Sequence, residues 1–319
     1  MNFFLFIFSA TLIVSQLLVS LYSSINIYRF IILFLMLIFA SLVLKLPRTY
    51  KISKFISHSV IISVLFLLLE IFLIQYASIH VDYAKYFGES IPRLTGTIGE
   101  PNYFGYFSLL MFILLQRKGS VTGFILLCMI FISGSRGAML SIILWPLLSI
   151  LNLLPLRTVI LNIICLITAL SPWLVYGLLQ SLDYDFLVLL NALSSNRLEI
   201  WDQLLGTVLD YPFGVGYFKS TEFVGVYESP FSLRSTGMQP HNTWFQILAE
   251  FGIVSYAVSV SLFMAISIKL TGQRKSYFIM AVAPLQFLHI IGSFLMVLLF
   301  FVFKNLVDQE KLSRTRVSN

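Results

Sequence analysis

The residues that could do chemistry are few, and they come in a fixed order. Arg93, Arg136, Arg197 and Arg234 stand apart from the lysine-bearing clusters, and one histidine, His241, precedes an asparagine and an apolar run in Gln239-Pro240-His241-Asn242-Thr243-Trp244-Phe245-Gln246. Guanidinium groups present planar donors suited to phosphate oxygens, and several of them could clamp a pyrophosphate without a metal. Histidine is the side chain best placed to exchange a proton near neutral pH. A pyrophosphate that departs from a carbon atom gains negative charge, which fixed arginines stabilise while an imidazole takes the proton of the attacking hydroxyl. Apart from the isolated pair in Asp183-Tyr184-Asp185, no dense carboxylate cluster suggests a bound divalent ion, and neither a metal site nor a cofactor is expected.

The elements that must position these groups are membrane helices. With 319 residues, 58% hydrophobic and 11% charged, and a mean hydropathy of +0.91, the chain is unsuited to a soluble domain with a polar surface. Apolar runs near the length that crosses a bilayer, without dyad alternation, point to an all-α, polytopic transmembrane bundle of about nine or ten spans and against an outer-membrane barrel. The net charge of +7 does not indicate nucleic acid, because it is concentrated in short loops: Lys45, Arg48, Lys51 and Lys54, then Arg117 and Lys118, then Lys269, Arg274 and Lys275. Such clusters mark cytoplasmic loops. Residues 181–242 are the reverse, holding Asp183, Asp185, Glu199, Asp202, Asp210, Glu222 and Glu228 against Arg197, Lys219 and Arg234. They read as one long outer, periplasmic loop with short helices, inserted in a single membrane domain that covers 1–319. Cys128 and Cys165 fall in apolar spans and read as packing residues, and the run 3–21 reads as a retained first helix rather than a signal peptide.

In chain order, spans are expected at about 3–21, 30–46 and 59–79. Glu70, in the third, should face the bundle, as a hydrogen-bonded packing carboxylate or a catalytic one. An outer loop then leads to a helix beginning at Pro101, which suits proline's preference for the first turn. Spans at 121–134 and 138–154 flank Ser133-Gly134-Ser135-Arg136-Gly137, where Arg136 is either part of an anion site at a helix start or a snorkelling interfacial residue. One helix is expected over 158–179, an interfacial stretch at 186–193, and an amphipathic helix from Arg197, in which Arg197 and Trp201 share a face. Pro212-x-Gly214-x-Gly216 is read as a tight turn. Asn242 is expected to cap a helix running to about 268, with Glu250 two turns along. The run 277–303 is either one span or a hairpin around 284–292.

Gly99-Glu100-Pro101-Asn102-Tyr103, Ser133-Gly134-Ser135-Arg136-Gly137, Arg197-x-x-x-Trp201, Pro212-x-Gly214-x-Gly216, His241-Asn242 and Glu250-x-Gly252 form an ordered set between about 93 and 252. The set resembles the bacterial O-antigen ligase and polymerase family. The resemblance implies a metal-independent membrane glycosyltransferase that uses an undecaprenyl-pyrophosphate-linked glycan at the outer face of the bacterial plasma (inner) membrane. By that analogy Arg136 and Arg197 bind the pyrophosphate, and His241 is the base or orients the acceptor. Asn242, Glu100, Asn102 and Trp201 support the site; Arg93 and Arg234 are added from charge and position. The expected partners are the lipid-linked glycan, a glycan or lipid A-core acceptor and membrane lipid, with other polysaccharide-assembly proteins as candidates. Two activities stay open. A polymerase joins repeat units and a ligase passes the polymer to lipid A-core or protein; polymerase is favoured because no feature marks a lipid A-core site. A flippase or transporter is the rival of another class, opposed by the collection of polar groups at one face.

Overall fold

A computed structural model describes residues 2–19, 27–45, 52–77, 83–86, 89–92, 94–95, 100–115, 120–151, 157–193, 197–217, 219–224, 241–286, 288 and 294–318. In order these form α1 (Asn2–Val19), α2 (Ile27–Lys45), α3 (Ile52–Ala77), β1 (Tyr83–Tyr86), β2 (Glu89–Pro92), α4 (Pro101–Leu114), α5 (Val121–Ile132) and α6 (Arg136–Leu151). There follow α7 (Arg157–Ala169), α8 (Ser171–Ser181), α9 (Tyr184–Leu193), α10 (Arg197–Asp210), α11 (Ser220–Phe223), α12 (Thr243–Lys269), α13 (Gly272–Val282), a short 3₁₀ turn (Ala283–Gln286) and α14 (Phe294–Ser318). The helical class expected from the sequence is what the chain adopts. The exception is the antiparallel hairpin of β1 and β2, which pairs Tyr83 with Pro92 and Tyr86 with Glu89 where a plain loop was expected.

Among the described residues, Ile56–Gln75 and Thr243–Lys269 are long and apolar enough to cross a membrane, and Pro101–Leu114, Val121–Ile132 and Arg136–Leu151 are shorter apolar helices. The helix expected over 158–179 is two helices, Thr158–Ala169 and Ser171–Ser181, bent by 71°. Pro172, near the start of α8, lacks the N–H that a continuous helix would need there, the usual cause of so sharp a bend.

The chain divides into two compact units. One comprises Lys45–Leu154 and Ser276–Pro284. Its centre is α4, which from Phe104 to Leu114 is buried on every side, as befits a helix that is apolar all round. The Tyr106 hydroxyl donates to the Ala281 carbonyl at 2.6 Å, so the polar group of that buried ring is satisfied. Glu70 proves to be a hydrogen-bonded carboxylate: Thr95 donates to it through its N–H at 2.9 and 3.0 Å and through its hydroxyl at 2.9 Å.

The other unit comprises Met1–Leu44, Pro155–Lys275 and Leu285–Asn319. α1 buries Phe8, Leu12, Ser15, Gln16 and Val19, a stripe at helical spacing that packs on α12, while Phe6, Val14 and Leu17 face outward. α12 is not the continuous helix expected from 242 to 268. Gly252 has φ 82° and ψ 176°, so limbs 243–251 and 253–269 meet at a corner. The Trp244 ring lies 5.3 Å from that of Phe263, whereas a straight helix would separate these positions by about 28 Å. α12 therefore doubles back, leaving its second limb as the part long enough to span.

The end of α14 returns to the turn between α12 and α13. Arg274 donates to Glu310 at 2.9 Å and Arg314 donates to the Lys269 carbonyl at 3.2 Å. A single crossing by the last apolar run could not bring these residues together; the turn of the expected hairpin, around 284–292, lies largely outside the described residues.

Candidate functional site

The corner of α12 is where the local sequence makes itself felt. A continuous helix would bond the Ile253 N–H to the Ala249 carbonyl. Here the Ile253 N–H goes to the Pro212 carbonyl at 2.9 Å, and the Ala249 carbonyl accepts from Val215 at 2.9 Å. The Glu250 carbonyl accepts from Gly216 at 3.1 Å and from the Gln16 amide at 3.2 Å, and the Phe251 carbonyl accepts from the Ser15 hydroxyl at 2.6 Å. A loop and α1 thus supply the partners that the break removes, as buried backbone requires. The two chains approach too closely for side chains: a Cβ at Gly214 (φ 93°) would lie 2.5 Å from the Glu250 carbonyl oxygen, and one at Gly252 would strike the backbone of Pro212 and Phe213. Pro212-x-Gly214-x-Gly216 and Glu250-x-Gly252 are therefore two halves of one joint. The Glu250 carboxylate is itself held, accepting from Ser220 at 2.6 Å and from Gln246 at 3.1 Å.

This joint sets where α12 begins. Asn242 is the N-cap, with its side-chain oxygen accepting from Trp244 N at 2.9 Å and Phe245 N at 3.3 Å; the Thr243 hydroxyl is tied to the Leu288 carbonyl at 2.6 Å. His241, immediately before the cap, has φ 45°, a left-handed conformation rare for a residue with a Cβ and commonest where a site holds the backbone to it. Its imidazole is half-buried. Burial first, and then the positive charge of Arg197, push its pKa down to about 4. The ring is therefore neutral at pH 7 and able to accept a proton, beside the positive charge of Arg197 and at the positive end of a helix.

Arg197 opens α10, four residues before Trp201, and the Trp201 ring stacks on Phe245 with centroids 5.1 Å apart and planes at 13°. That contact ties the face of α10 carrying Arg197 to the first turn of α12. Glu199, also in the first turn of α10, accepts from Asn191 at 3.5 Å and donates its own N–H to the Asn191 side chain at 3.2 Å. Of the residues singled out in the sequence, this unit thus brings together His241, Asn242, Arg197 and Trp201.

The other unit gathers a second group. Glu100 caps α4, accepting from Tyr103 N at 2.7 Å and from the Asn102 amide at 2.9 Å. Ser135 donates to the Asn102 carbonyl at 3.4 Å, which ties the Ser133–Gly137 turn to the start of α4. Gly105 permits this, since a Cβ there would collide with Ser133 and Ser135. Arg136 is the first residue of α6 and is exposed. Arg93 and Arg234 lie outside the described residues.

Three features of this site were not read from the sequence: the corner in α12, the support of Ser15 and Gln16 from α1, and the apolar pocket beside the corner. The glycines of the two motifs were the available signal for the first. Among the described residues no three His, Cys, Asp or Glu side chains converge.

Fold and site together define a helical membrane protein with a neutral histidine and an arginine at a helix start. Residues 121–260 match the model of the O-antigen ligase family, Wzy_C, which bears out over that stretch the family resemblance drawn from the sequence. That family is of the glycosyltransferase type and acts on lipid-linked glycans in the membrane. No curated protein and no solved structure matches the chain.

Proposed function

We propose that the protein is a polymerase of polyprenyl-pyrophosphate-linked oligosaccharide repeat units, working at the outer face of the bacterial inner membrane. The observation that carries the reading is His241: a half-buried imidazole with a lowered pKa, beside Arg197 and at the start of α12, inside the stretch that matches the family.

In this reading Arg197, beside the positive end of α12, binds the pyrophosphate of the donor. The acceptor hydroxyl attacks the anomeric carbon, the sugar–oxygen bond to pyrophosphate breaks, and His241 takes the hydroxyl proton. The bound pyrophosphate, being negative, offsets Arg197 and raises the imidazole pKa from its low resting value toward neutrality, where a general base works best. Trp201 and Asn242 hold Arg197 and the helix start in place. Arg136 is proposed as a pyrophosphate ligand on the strength of the resemblance and of its exposed place at the start of α6, with Glu100 and Asn102 shaping its turn. Positive side chains would do the work that a metal does in other pyrophosphate enzymes.

A ligase that transfers the finished polymer to lipid A-core would use the same chemistry. The test is the glycan ladder of cells lacking the gene, complemented by the wild type or by His241→Ala at matched membrane levels. Single repeat units on the acceptor in the null strain mark a polymerase; unattached lipid-linked polymer marks a ligase. A full wild-type ladder from His241→Ala would remove the catalytic assignment.

A further inference from the structure

Glu70 stands in the span Ile56–Gln75, five residues inside the end that leads to β1. By helical rise that is a depth of about 8 Å, where a carboxylate is costly unless it is paired or hydrogen-bonded. Resting on the reading of Arg136 as a pyrophosphate ligand, we propose that Glu70 is a positioning residue for that arginine. By accepting from Thr95 it draws a non-helical segment into the bundle and holds it against the turn that Arg136 follows.

The contacts run in sequence from carboxylate to turn. Thr95 gives Glu70 its N–H at 2.9 and 3.0 Å and its hydroxyl at 2.9 Å. Backbone outside a helix is tolerated at membrane depth only where its polar groups are satisfied, and the carboxylate does this for Thr95. Leu94, buried beside it, donates its N–H at a long 3.5 Å to the Ile132 carbonyl. That carbonyl belongs to the last residue of α5, where the helix itself supplies no donor. Ile132 leads straight into Ser133-Gly134-Ser135, and Arg136 opens α6. Within the turn the Ser133 hydroxyl donates to the Ile130 carbonyl at 2.7 Å and accepts from the Ser135 N–H at 3.2 Å, so the end of α5 and the start of α6 shift as one piece.

The neighbouring helices agree with that depth. α4 has 14 residues and α5 has 12, about 21 and 18 Å of helix against roughly 30 Å of hydrocarbon. Their ends at Pro101 and Ile132 therefore stop short of a full crossing, just as Thr95 stops at the level of Glu70. Arg136 is nevertheless exposed. A cation set below the membrane surface has few directions in which it meets water or an anion, so its use as a ligand depends on a fixed backbone, which the chain from Glu70 through Thr95 and Leu94 supplies.

The experiment uses the full chain in lipid nanodiscs with a polyprenyl-pyrophosphate-linked repeat unit as donor, and reads both kinetics and amide hydrogen exchange. Glu70→Ala should raise the donor KM about five- to tenfold with kcat within about twofold, the signature of lost binding, and should speed exchange in peptides covering 94–95 and 133–136 alike. Glu70→Gln, whose amide oxygen still accepts from Thr95, should recover most of both. In an Arg136→Ala background Glu70→Ala should raise KM no further, because it acts through that arginine. Thr95→Val keeps the carboxylate and should raise KM about two- to threefold, which covers the case in which Glu70→Ala folds poorly. A lower melting temperature with unchanged donor KM in the folded fraction, and unchanged exchange at 133–136, would overturn the positioning role and leave Arg136 as a ligand. An unchanged KM in Arg136→Ala itself would sink the ligand reading, and exchange at 133–136 in Glu70→Ala would then decide whether Glu70 positions the turn.

Discussion

At the far end of α12 one buried carboxylate gathers the polar groups around it. Glu310, 5% exposed, accepts from the Thr271 hydroxyl at 2.8 Å and N–H at 3.3 Å, from Arg274 at 2.9 Å and from Arg314 at 3.2 Å. Lys275, 1% exposed, donates to Asn162 at 2.8 Å. At the near end of the same helix the polar groups are held but not used up. His241 is kept neutral beside a cation, and the Trp244 Nε1 and Gln246 Oε1 atoms are buried without partners among the described residues. The first arrangement uses its charges to fasten α14 to the α12–α13 turn. The second keeps donors and a proton acceptor ready, the arrangement that a ligand completes. A charged cluster in a membrane protein is thus informative by what it leaves unfinished.

The contrast can be broken from either side. The largest expected effect is on activity: Arg197→Ala should lower glycan transfer by about 10²–10³-fold, the usual cost of removing a group that stabilises a departing oxyanion, with the melting temperature unchanged. Next is the joint that positions the near end. Gly252→Val forces a β-branched residue to φ 82° against the Pro212–Phe213 backbone and should cost about 2–4 kcal/mol, read as a lower melting temperature in nanodiscs. Glu310→Gln should cost roughly 2 kcal/mol by leaving Arg274 and Arg314 without their carboxylate, with the turnover of the folded fraction at the wild-type rate. A loss of turnover there would dissolve the distinction between the two ends.

The smallest effects are with pH, and they follow different groups. His241 has its pKa lowered in the folded state to about 4 from 6.5, so its contribution to stability is present above 6.5 and is lost as pH falls from there through about 4. At Glu310 burial pushes the pKa up, but hydrogen bonds from Arg274, Thr271 and Arg314 outweigh it and hold it down. Its contribution is lost as pH falls below the ordinary carboxylate range. Melting curves over pH 7 to 4 should lose the upper part of their slope in His241→Asn and keep it in Glu310→Gln.

Much of this fold was legible because membrane helices announce themselves by composition and because caps are local. Pro101 with Glu100, Asn102 beside it, and Asn242 before Thr243 could be read directly, and the Ser133–Gly137 interruption fell where the chain turns. The corner at Gly252 was not legible, because 243–269 is long and largely apolar and a single glycine inside such a run is tolerated by a continuous helix as well as by a bend. The cause lies some forty residues earlier, in Pro212-x-Gly214-x-Gly216, and a tertiary approach of two backbones leaves only glycines as its trace. The bend between α7 and α8 had a nearer signal in Ser171-Pro172. Of the site, the residue types were legible but not their grouping: Trp201, read as sharing a face with Arg197, also stacks on Phe245 and so ties α10 to α12.

The most direct test of the account is turnover by purified protein in nanodiscs, supplied with a polyprenyl-pyrophosphate-linked repeat unit as donor and a second as acceptor, and read as released polyprenyl pyrophosphate. With His241→Gln, the account predicts that release falls by about 10²–10⁴-fold while donor binding and melting temperature stay at wild-type values. Release at the wild-type rate from folded His241→Gln protein would contradict it.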